Sequence, residues 1–241
     1  MDDDDDEVPT LSSDTLATLN AFLAEKDTKT KQFEELKAKA ETDFQHASGH
    51  LSMDMFSEDW QTSQFWYTDA TARLLAEQLL AEADGHSCIA VVSAPSVYVA
   101  LRNLLNAKDA AEKPTIKLLE YDRRFEVFGS DFVYYDFQRP LSPPPELKGK
   151  FDRIICDPPF LSEECQTKTA LTVRFLASSW DGGKGGLRFM SCTGERMAEL
   201  ISKLYDKLGV RMTTFEPEHS KGLSNEFRCY ANFECEEWHL R

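Results

Sequence analysis

An acidic residue, two prolines and an aromatic residue stand together at Asp157, Pro158, Pro159 and Phe160. Because proline has no backbone N–H, this segment offers chiefly acceptors, namely the Asp157 carboxylate and the carbonyl oxygens of Asp157 and Pro158. Two acceptors can hold a primary amine with its lone pair directed at an electrophile, and Phe160 can wall the pocket by stacking or by a cation–π contact. The motif predicts a binding site for a substrate NH group; the alternative is a structural turn after a strand.

Two other acids follow apolar runs. Glu120 ends the run 115–119, where a carboxylate can accept hydrogen bonds from both ribose hydroxyls of an adenosine. Asp136 ends the run 132–135, where it could accept from an adenine amino group while Phe137 stacks on the base. Each acid could instead be a solvated surface charge.

Two short segments add candidate contacts. Ser93, Ala94 and Pro95 follow the first apolar run and are compact enough for backbone to approach a ligand, although the glycine fingerprint of dinucleotide-binding folds is absent. Phe65, Trp66 and Tyr67 cannot all face one core, so at least one of them is expected to meet a ligand or a loop.

The elements that must position these residues alternate between strand and helix. The pattern predicts strands over 88–92, 115–119, 132–135, 151–156 and 187–192, and helices over 72–80, 97–105, 161–176 and 195–208, the last with Gly209 as its C′ residue. Either Thr68 or Asp69 can cap the first helix. Two final strands, 210–215 and 227–233, are expected to form an antiparallel hairpin at the sheet edge. This α/β order predicts a seven-stranded Rossmann-like fold.

The segment before residue 59 differs in composition. Residues 1–10 form an acidic tail, a short amphipathic helix is predicted from Ser13 through Leu23, and residues 27–57 favour a charged helix followed by a linker. We therefore expect a short helical extension over 1–58 and the main domain over 59–241.

The net charge of −15 argues against a nucleic-acid partner, because phosphate binding normally requires a basic patch. An acidic surface would attract a basic macromolecule or would only confer solubility. The six cysteines include no C-x-x-C pair, which predicts reduced thiols, and no apolar stretch is long enough for a membrane span. We expect a soluble, intracellular monomer with no bound metal.

Several segments together resemble the eukaryotic elongation factor 1-alpha lysine methyltransferases, a family first taken for adenine-specific DNA methyltransferases. The resemblance covers about 59–233 and rests on the segments 64–67, 93–98, 120–122, 157–165 and 225–230. It implies the seven-stranded methyltransferase fold and transfer of methyl from S-adenosylmethionine to a lysine of that translation factor in the cytoplasm. The implied cofactor contacts are Phe65, Trp66, Tyr67, Ser93, Ala94, Pro95, Glu120, Tyr121, Asp136, Phe137 and Asp157.

The same resemblance makes Asp157, Pro158, Pro159 and Phe160 the amine pocket. The neutral amine would attack the sulfonium methyl directly, with Asp157 positioning it and water accepting the proton. The alternatives are an N6-adenine methyltransferase acting on DNA or RNA, in which a flipped base stacks on Phe160, and a catalytically silent subunit that keeps the fold as a scaffold.

Overall fold

The computed structural model describes residues 15, 17–21, 24, 28, 31, 34–35, 38, 42, 51–53, 56, 65–183, 185–222 and 226–241. The described positions from 15 to 42 are helical and exposed, in keeping with the predicted N-terminal helices. The predicted acidic tail, most of the linker and the start of the predicted aromatic segment at Gln64 lie outside the described residues.

The described residues form a seven-stranded sheet in the order β3-β2-β1-β4-β5-β7-β6. The first five strands pair in parallel, and β7 runs antiparallel to both β5 and β6. This is the predicted architecture of the Rossmann-like methyltransferase fold. The strands are β1 (Cys88–Val92), β2 (Thr115–Glu120), β3 (Phe132–Tyr134), β4 (Arg153–Cys156), β5 (Arg188–Gly194), β6 (Arg211–Met212) and β7 (Phe227–Ala231).

α-Helices connect β1 to β2 and β4 to β5, whereas 3₁₀ segments lie between β2 and β3 and between β3 and β4. Four α-helices are fully bounded within the described residues: α1 (Asp69–Leu80), α2 (Pro95–Asn106), α3 (Glu163–Leu176) and α4 (Ala198–Leu204). The hydroxyl of Thr68 accepts from the backbone N–H of Thr71 at 3.2 Å, so Thr68, one of the two expected caps, is the N-cap of α1. Ser162 caps α3 in the same way, directly after the acid-proline-proline motif.

The predicted continuous helix over 195–208 is wrong. A 3₁₀ turn (Glu195–Met197), the short α4 and a second 3₁₀ turn (Asp206–Leu208) replace it, because the backbone leaves helical geometry at Tyr205. Gly209 does adopt the left-handed conformation, with φ 69°, and ends the second turn. The final antiparallel pair is confirmed, although β6 is only two residues long.

The sheet separates two apolar clusters. Alternate residues of β1 face opposite sides, with Ile89 and Val91 packed in one cluster and Ala90 and Val92 in the other. Full burial of a side chain of the size of valine or isoleucine contributes about 1.5–3 kcal/mol relative to exposure. The two covered faces fix β1 and β4 at the centre of the sheet, and those strands carry the candidate site at their carboxyl ends.

The predicted boundary at residue 58 stays a prediction, but described residues on the N-terminal side of it contact the main domain. The Phe56 ring lies 4.4 Å from that of Phe125, and Leu51 exchanges backbone hydrogen bonds of 2.8 and 2.7 Å with the Asn103 side chain. The last part of the predicted extension therefore contributes to the core.

Candidate active site

The sheet register brings the candidate residues to one edge. Val92 of β1 pairs with Leu119 of β2 and with Cys156 of β4, so Glu120 and Asp157 both stand one residue beyond that level. The N–H of Asp157 donates to the Val92 carbonyl at 3.0 Å, and the N–H of Ser93 donates to the Leu119 carbonyl at 2.9 Å. Strand order reverses at β1, and this switch point is where doubly wound sheets bind ligands.

Asp157 is held by a tyrosine distant in sequence. The hydroxyl of Tyr67 donates to Asp157 Oδ2 at 2.5 Å, a length typical of a charge-assisted hydrogen bond. Burial raises the pKa of Asp157 to about 8; the Tyr67 hydrogen bond opposes that rise and the charge of Glu120 adds to it. Asp157 as a whole residue is half-buried, so part of its surface remains accessible to solvent or a ligand.

Glu120 is the more enclosed acid, with 6% of its surface exposed. Its Oε1 accepts from the backbone N–H groups of Tyr121 at 2.8 Å and Asp122 at 3.2 Å. Burial raises the pKa of Glu120 to about 7, despite those two hydrogen bonds and with a further rise from the Asp122 charge. Asp122 itself caps the following turn and pairs with Arg124 at 2.6 Å.

The turn after β1 is tight. Ser93 has φ 55°, a left-handed conformation that costs a non-glycine residue about 1–2 kcal/mol. Ala94 is buried and Pro95 is the first residue of α2, where its missing N–H leaves no unsatisfied donor. A strained, compact turn that opens a helix at the switch point can bring backbone close to a ligand, and strain of this kind clusters at functional sites.

Aromatic rings stand at the ends of β2 and β3. The rings of Tyr121 and Tyr134 lie 5.7 Å apart and are both exposed, and the Arg123 guanidinium lies 4.3 Å over the Tyr134 ring. Asp136 is half-buried, and its Oδ1 accepts from the backbone N–H of Gln138 at 2.9 Å. The Asp136 carboxylate is therefore partly engaged by its own turn.

Phe160 projects from the motif. It is 40% exposed, and its ring meets that of Phe137 edge-on at 5.6 Å. Pro158 is buried and Pro159 half-buried, so the turn itself packs against the sheet while the ring remains accessible. Phe137 and Phe160 thus bring together a residue of the predicted cofactor site and a residue of the predicted amine pocket.

The three consecutive aromatics have different surroundings. Trp66 is buried, its indole N–H donates to the Phe56 carbonyl at 2.9 Å, and its ring meets Phe125 edge-on at 6.0 Å. Trp66 therefore packs in the core, and its contact with the cofactor stays a prediction. Phe65 is half-buried. Tyr67 faces Asp157 with its hydroxyl and lies against His219 at a ring distance of 4.9 Å.

Gln166 and Thr193 support the motif, although neither was predicted as a site residue from the sequence. The side-chain nitrogen of Gln166, on α3, donates to the Phe160 carbonyl at 3.2 Å and to the Thr193 hydroxyl at 3.0 Å. Gln166 is 1% exposed on the buried face of its helix. The sequence signal for this role is a glutamine at a core position of an amphipathic helix, because a buried polar side chain needs hydrogen-bond partners.

Within the described ranges, no group of three or more His, Cys, Asp or Glu side chains is arranged to hold a metal ion. None of the helices in the part of the chain described is long and apolar enough to cross a membrane.

Comparison with known proteins places this arrangement among methyltransferases. A family model described as "Probable N6-adenine methyltransferase" matches residues 58–235. The chain is 49% identical to protein-lysine N-methyltransferase EFM5 of Saccharomyces cerevisiae, over 95% of this chain and 94% of that protein. It is 43% identical to EEF1A lysine methyltransferase 1 of Gallus gallus over 97% and 98% of the two chains, and 39% identical to the Homo sapiens protein of that name over 96% and 95%.

Proposed function

The chain belongs to the family of eukaryotic elongation factor 1-alpha lysine methyltransferases, and on this premise we propose that it methylates a lysine of that factor with S-adenosylmethionine as donor. Membership makes the chain a protein-lysine N-methyltransferase. The observation that carries the proposal is the placement of Asp157 at the exit of β4, with Oδ2 bound by Tyr67 and with an accessible Phe160 three residues further on.

The residues at the edge of the sheet fit S-adenosylmethionine. Glu120 is a buried carboxylate at the end of β2, suited to accept from two ribose hydroxyls. The compact turn Ser93–Pro95 would lie under the methionine part, and Tyr121, Asp136 and Phe137 would border the adenine. When bound, the donor supplies an electrophilic methyl group on a sulfonium centre.

The amine pocket would be formed by Asp157, Pro158, Pro159 and Phe160. The second oxygen of the Asp157 carboxylate, Oδ1, and the neighbouring carbonyl groups accept from the lysine N–H groups, which directs the nitrogen lone pair at the methyl carbon. Phe160 covers the lysine side chain and limits access of water. The contribution of these residues is thus orientation, and no covalent bond to the chain is formed.

The lysine must lose a proton before it attacks, because its usual pKa is about 10.4. Burial beside Phe160 and the positive charge of the donor lower the lysine pKa, while an ionised Asp157 raises it. We assign Asp157 to holding the amine and solvent water to accepting the proton. The cytoplasm and the monomeric state remain predictions that accompany this proposal.

The test is methyl transfer from labelled S-adenosylmethionine, offered in parallel to purified elongation factor 1-alpha and to DNA and RNA oligonucleotides. We expect label in the protein alone, lost when the acceptor lysine is replaced by arginine. Label in the oligonucleotides would establish the adenine alternative that the family model's description suggests.

Asp157→Ala tests the site within the same assay. It should abolish turnover while the variant still binds the cofactor and unfolds at a temperature close to that of the wild type. Retained turnover would remove Asp157 from the proposed mechanism, and loss of folding would make the motif a structural turn.

A further inference from the structure

We propose that Tyr67 is a positioning residue for Asp157: its hydroxyl fixes one carboxylate oxygen and keeps the other as an acceptor for the substrate amine. This inference rests on the proposed role of Asp157. It adds a function for a hydroxyl group that lies 90 positions away in the sequence.

The contact is direct and enclosed. Tyr67 Oη donates to Asp157 Oδ2 at 2.5 Å, and Tyr67 is 3% exposed. A carboxylate has two oxygens, so a bond that occupies Oδ2 leaves Oδ1 and fixes the rotation of the carboxyl plane. An unfixed plane would present the amine with a range of acceptor directions, and misorientation of a reacting group is costly.

Tyr67 is held independently of Asp157. Its backbone N–H donates to the hydroxyl of Ser96 at 3.3 Å, and Tyr67 forms an isolated β-bridge with His219. On either side, the Trp66 carbonyl accepts from Ser220 at 2.8 Å and the Thr68 N–H donates to Glu218 at 2.9 Å. Asp157 is anchored to β1 through its backbone N–H, but the two prolines that follow have no N–H groups with which to fix their turn. The orientation is therefore imposed by Tyr67 on Asp157.

The hydroxyl also favours the ionised form of the carboxyl group. A protonated Asp157 would lose acceptor capacity, and burial together with Glu120 favours that form, with the pKa of Asp157 at about 8. Tyr67 is the partner that lowers this pKa. The pKa of Tyr67 itself is raised well above its usual value by burial, by Asp157 and by Cys192, so the hydroxyl stays a donor at neutral pH.

Among the described residues, the other titratable groups that interact with the Asp157 carboxyl group are an acid and three thiols. Glu120 faces it from β2, Cys156 precedes it on β4, and Cys165 and Cys192 approach from α3 and β5. Burial is among the causes that raise the pKa values of these three thiols, so they are uncharged at neutral pH. His219 packs on the Tyr67 ring.

The test compares wild type, Tyr67→Phe, Asp157→Asn and the double variant by kcat and KM from pH 6 to 9, and by the carboxyl ¹³C titration of Asp157. We expect Tyr67→Phe to lower kcat at pH 7 by about tenfold or more, the effect of losing a hydrogen bond to a charged group. The acid limb of the kcat–pH profile of Tyr67→Phe should shift to higher pH, so that its activity partly recovers at pH 9. In the Asp157→Asn background, Tyr67→Phe should leave the pH profile unchanged.

Tyr98→Phe is the matched control, because Tyr98 is also buried and donates to a carboxylate, Asp131, at 3.0 Å. This control should keep the wild-type pH profile. An unshifted Asp157 titration or acid limb in Tyr67→Phe would overturn the inference, even with lowered stability. Inactive wild type on elongation factor 1-alpha would instead overturn the proposed function, and the ¹³C titration would still decide whether Tyr67 controls Asp157.

Discussion

Glu120 and Asp157 lie at the same edge of the sheet, on opposite sides of β1. Each is one residue beyond the residue that pairs with Val92. The charge of Glu120 adds to the upward shift that burial gives the pKa of Asp157, and the two pKa values are about 7 and about 8. Two acids that titrate near neutral pH at one edge of a sheet indicate a site whose ligand contacts depend on pH.

Cofactor affinity should rise with pH through the titration of Glu120. With a pKa of about 7, Glu120 is about one-tenth ionised at pH 6 and nine-tenths ionised at pH 8. The ionised form is the better acceptor for ribose hydroxyls, so S-adenosylhomocysteine should bind up to about tenfold more tightly at pH 8 than at pH 6. Isothermal titration calorimetry at pH 6, 7 and 8 measures this directly.

Two variants separate the acids. Glu120→Gln should bind more weakly and without this pH dependence, whereas Asp157→Asn should retain it. A wild-type affinity that does not change with pH, or the same slope in Glu120→Gln, would contradict the assignment of the ribose contact to Glu120.

The same carboxyl group should reduce stability at high pH. The folded pKa of Glu120 is raised from the usual 4.5 to about 7, so the folded state binds its proton more tightly than the unfolded state does. This contribution is fully present below about pH 4.5 and is lost as pH rises to about 7. Glu120→Gln should therefore unfold at a higher temperature than wild type at pH 8, by a few degrees if the gain is about 1–3 kcal/mol.

Thermal unfolding of the two proteins at pH 4.5 and pH 8 checks this, since the difference should nearly vanish at the lower pH. A difference of equal size at both pH values would mean that packing, not ionisation, separates the two side chains.

The sheet could be predicted from the sequence because its signals are local. Apolar runs that stop at Glu120 and at Asp157-Pro158 define strand ends, and parallel strands bring those ends to one edge. The hydrogen bond between Tyr67 and Asp157 could not be predicted, because it joins segments 90 positions apart. The surroundings of Trp66 could not be predicted from residue type either, because an aromatic residue next to Tyr67 fits equally well in a core or against a ligand.

Phe160 should contribute to the protein substrate more than to the cofactor. Its exposed ring can cover a lysine side chain, and a contact of this kind is worth about three- to thirtyfold in affinity. Phe160→Ala should therefore raise KM for elongation factor 1-alpha or lower kcat by about that factor, with Phe160→Leu in between. Calorimetry should give a cofactor affinity close to that of the wild type.

Leu171→Ala is the control, because Leu171 is 45% exposed on α3 and is not part of the motif. Equal losses in Phe160→Ala and Leu171→Ala would show a general effect of removing exposed apolar surface. A large loss of cofactor affinity in Phe160→Ala would place the ring at the donor instead of the amine.

Gln166 should affect turnover more than stability. Its side-chain nitrogen ties the Phe160 carbonyl to the Thr193 hydroxyl, while Oε1 is buried with no hydrogen-bond partner among the described residues. Replacing Gln166 by methionine removes two donated hydrogen bonds but also removes that unpaired oxygen, so the free energy of unfolding should fall by only about 1 kcal/mol. The Phe160 turn loses its hydrogen bond to α3, and kcat should fall by tenfold or more because small misplacements of reacting groups are costly.

Chemical denaturation and steady-state kinetics on Gln166→Met and Thr193→Val check this prediction. Thr193→Val keeps the Gln166 bond to Phe160, so its kcat should stay nearer that of the wild type. If Gln166→Met instead lost several kcal/mol of stability and kept its kcat, the glutamine would be a core residue whose bond to Phe160 has no part in holding the amine pocket. A lowered kcat in Gln166→Met with stability nearly intact would mean that the pocket depends on α3 as well as on its own prolines.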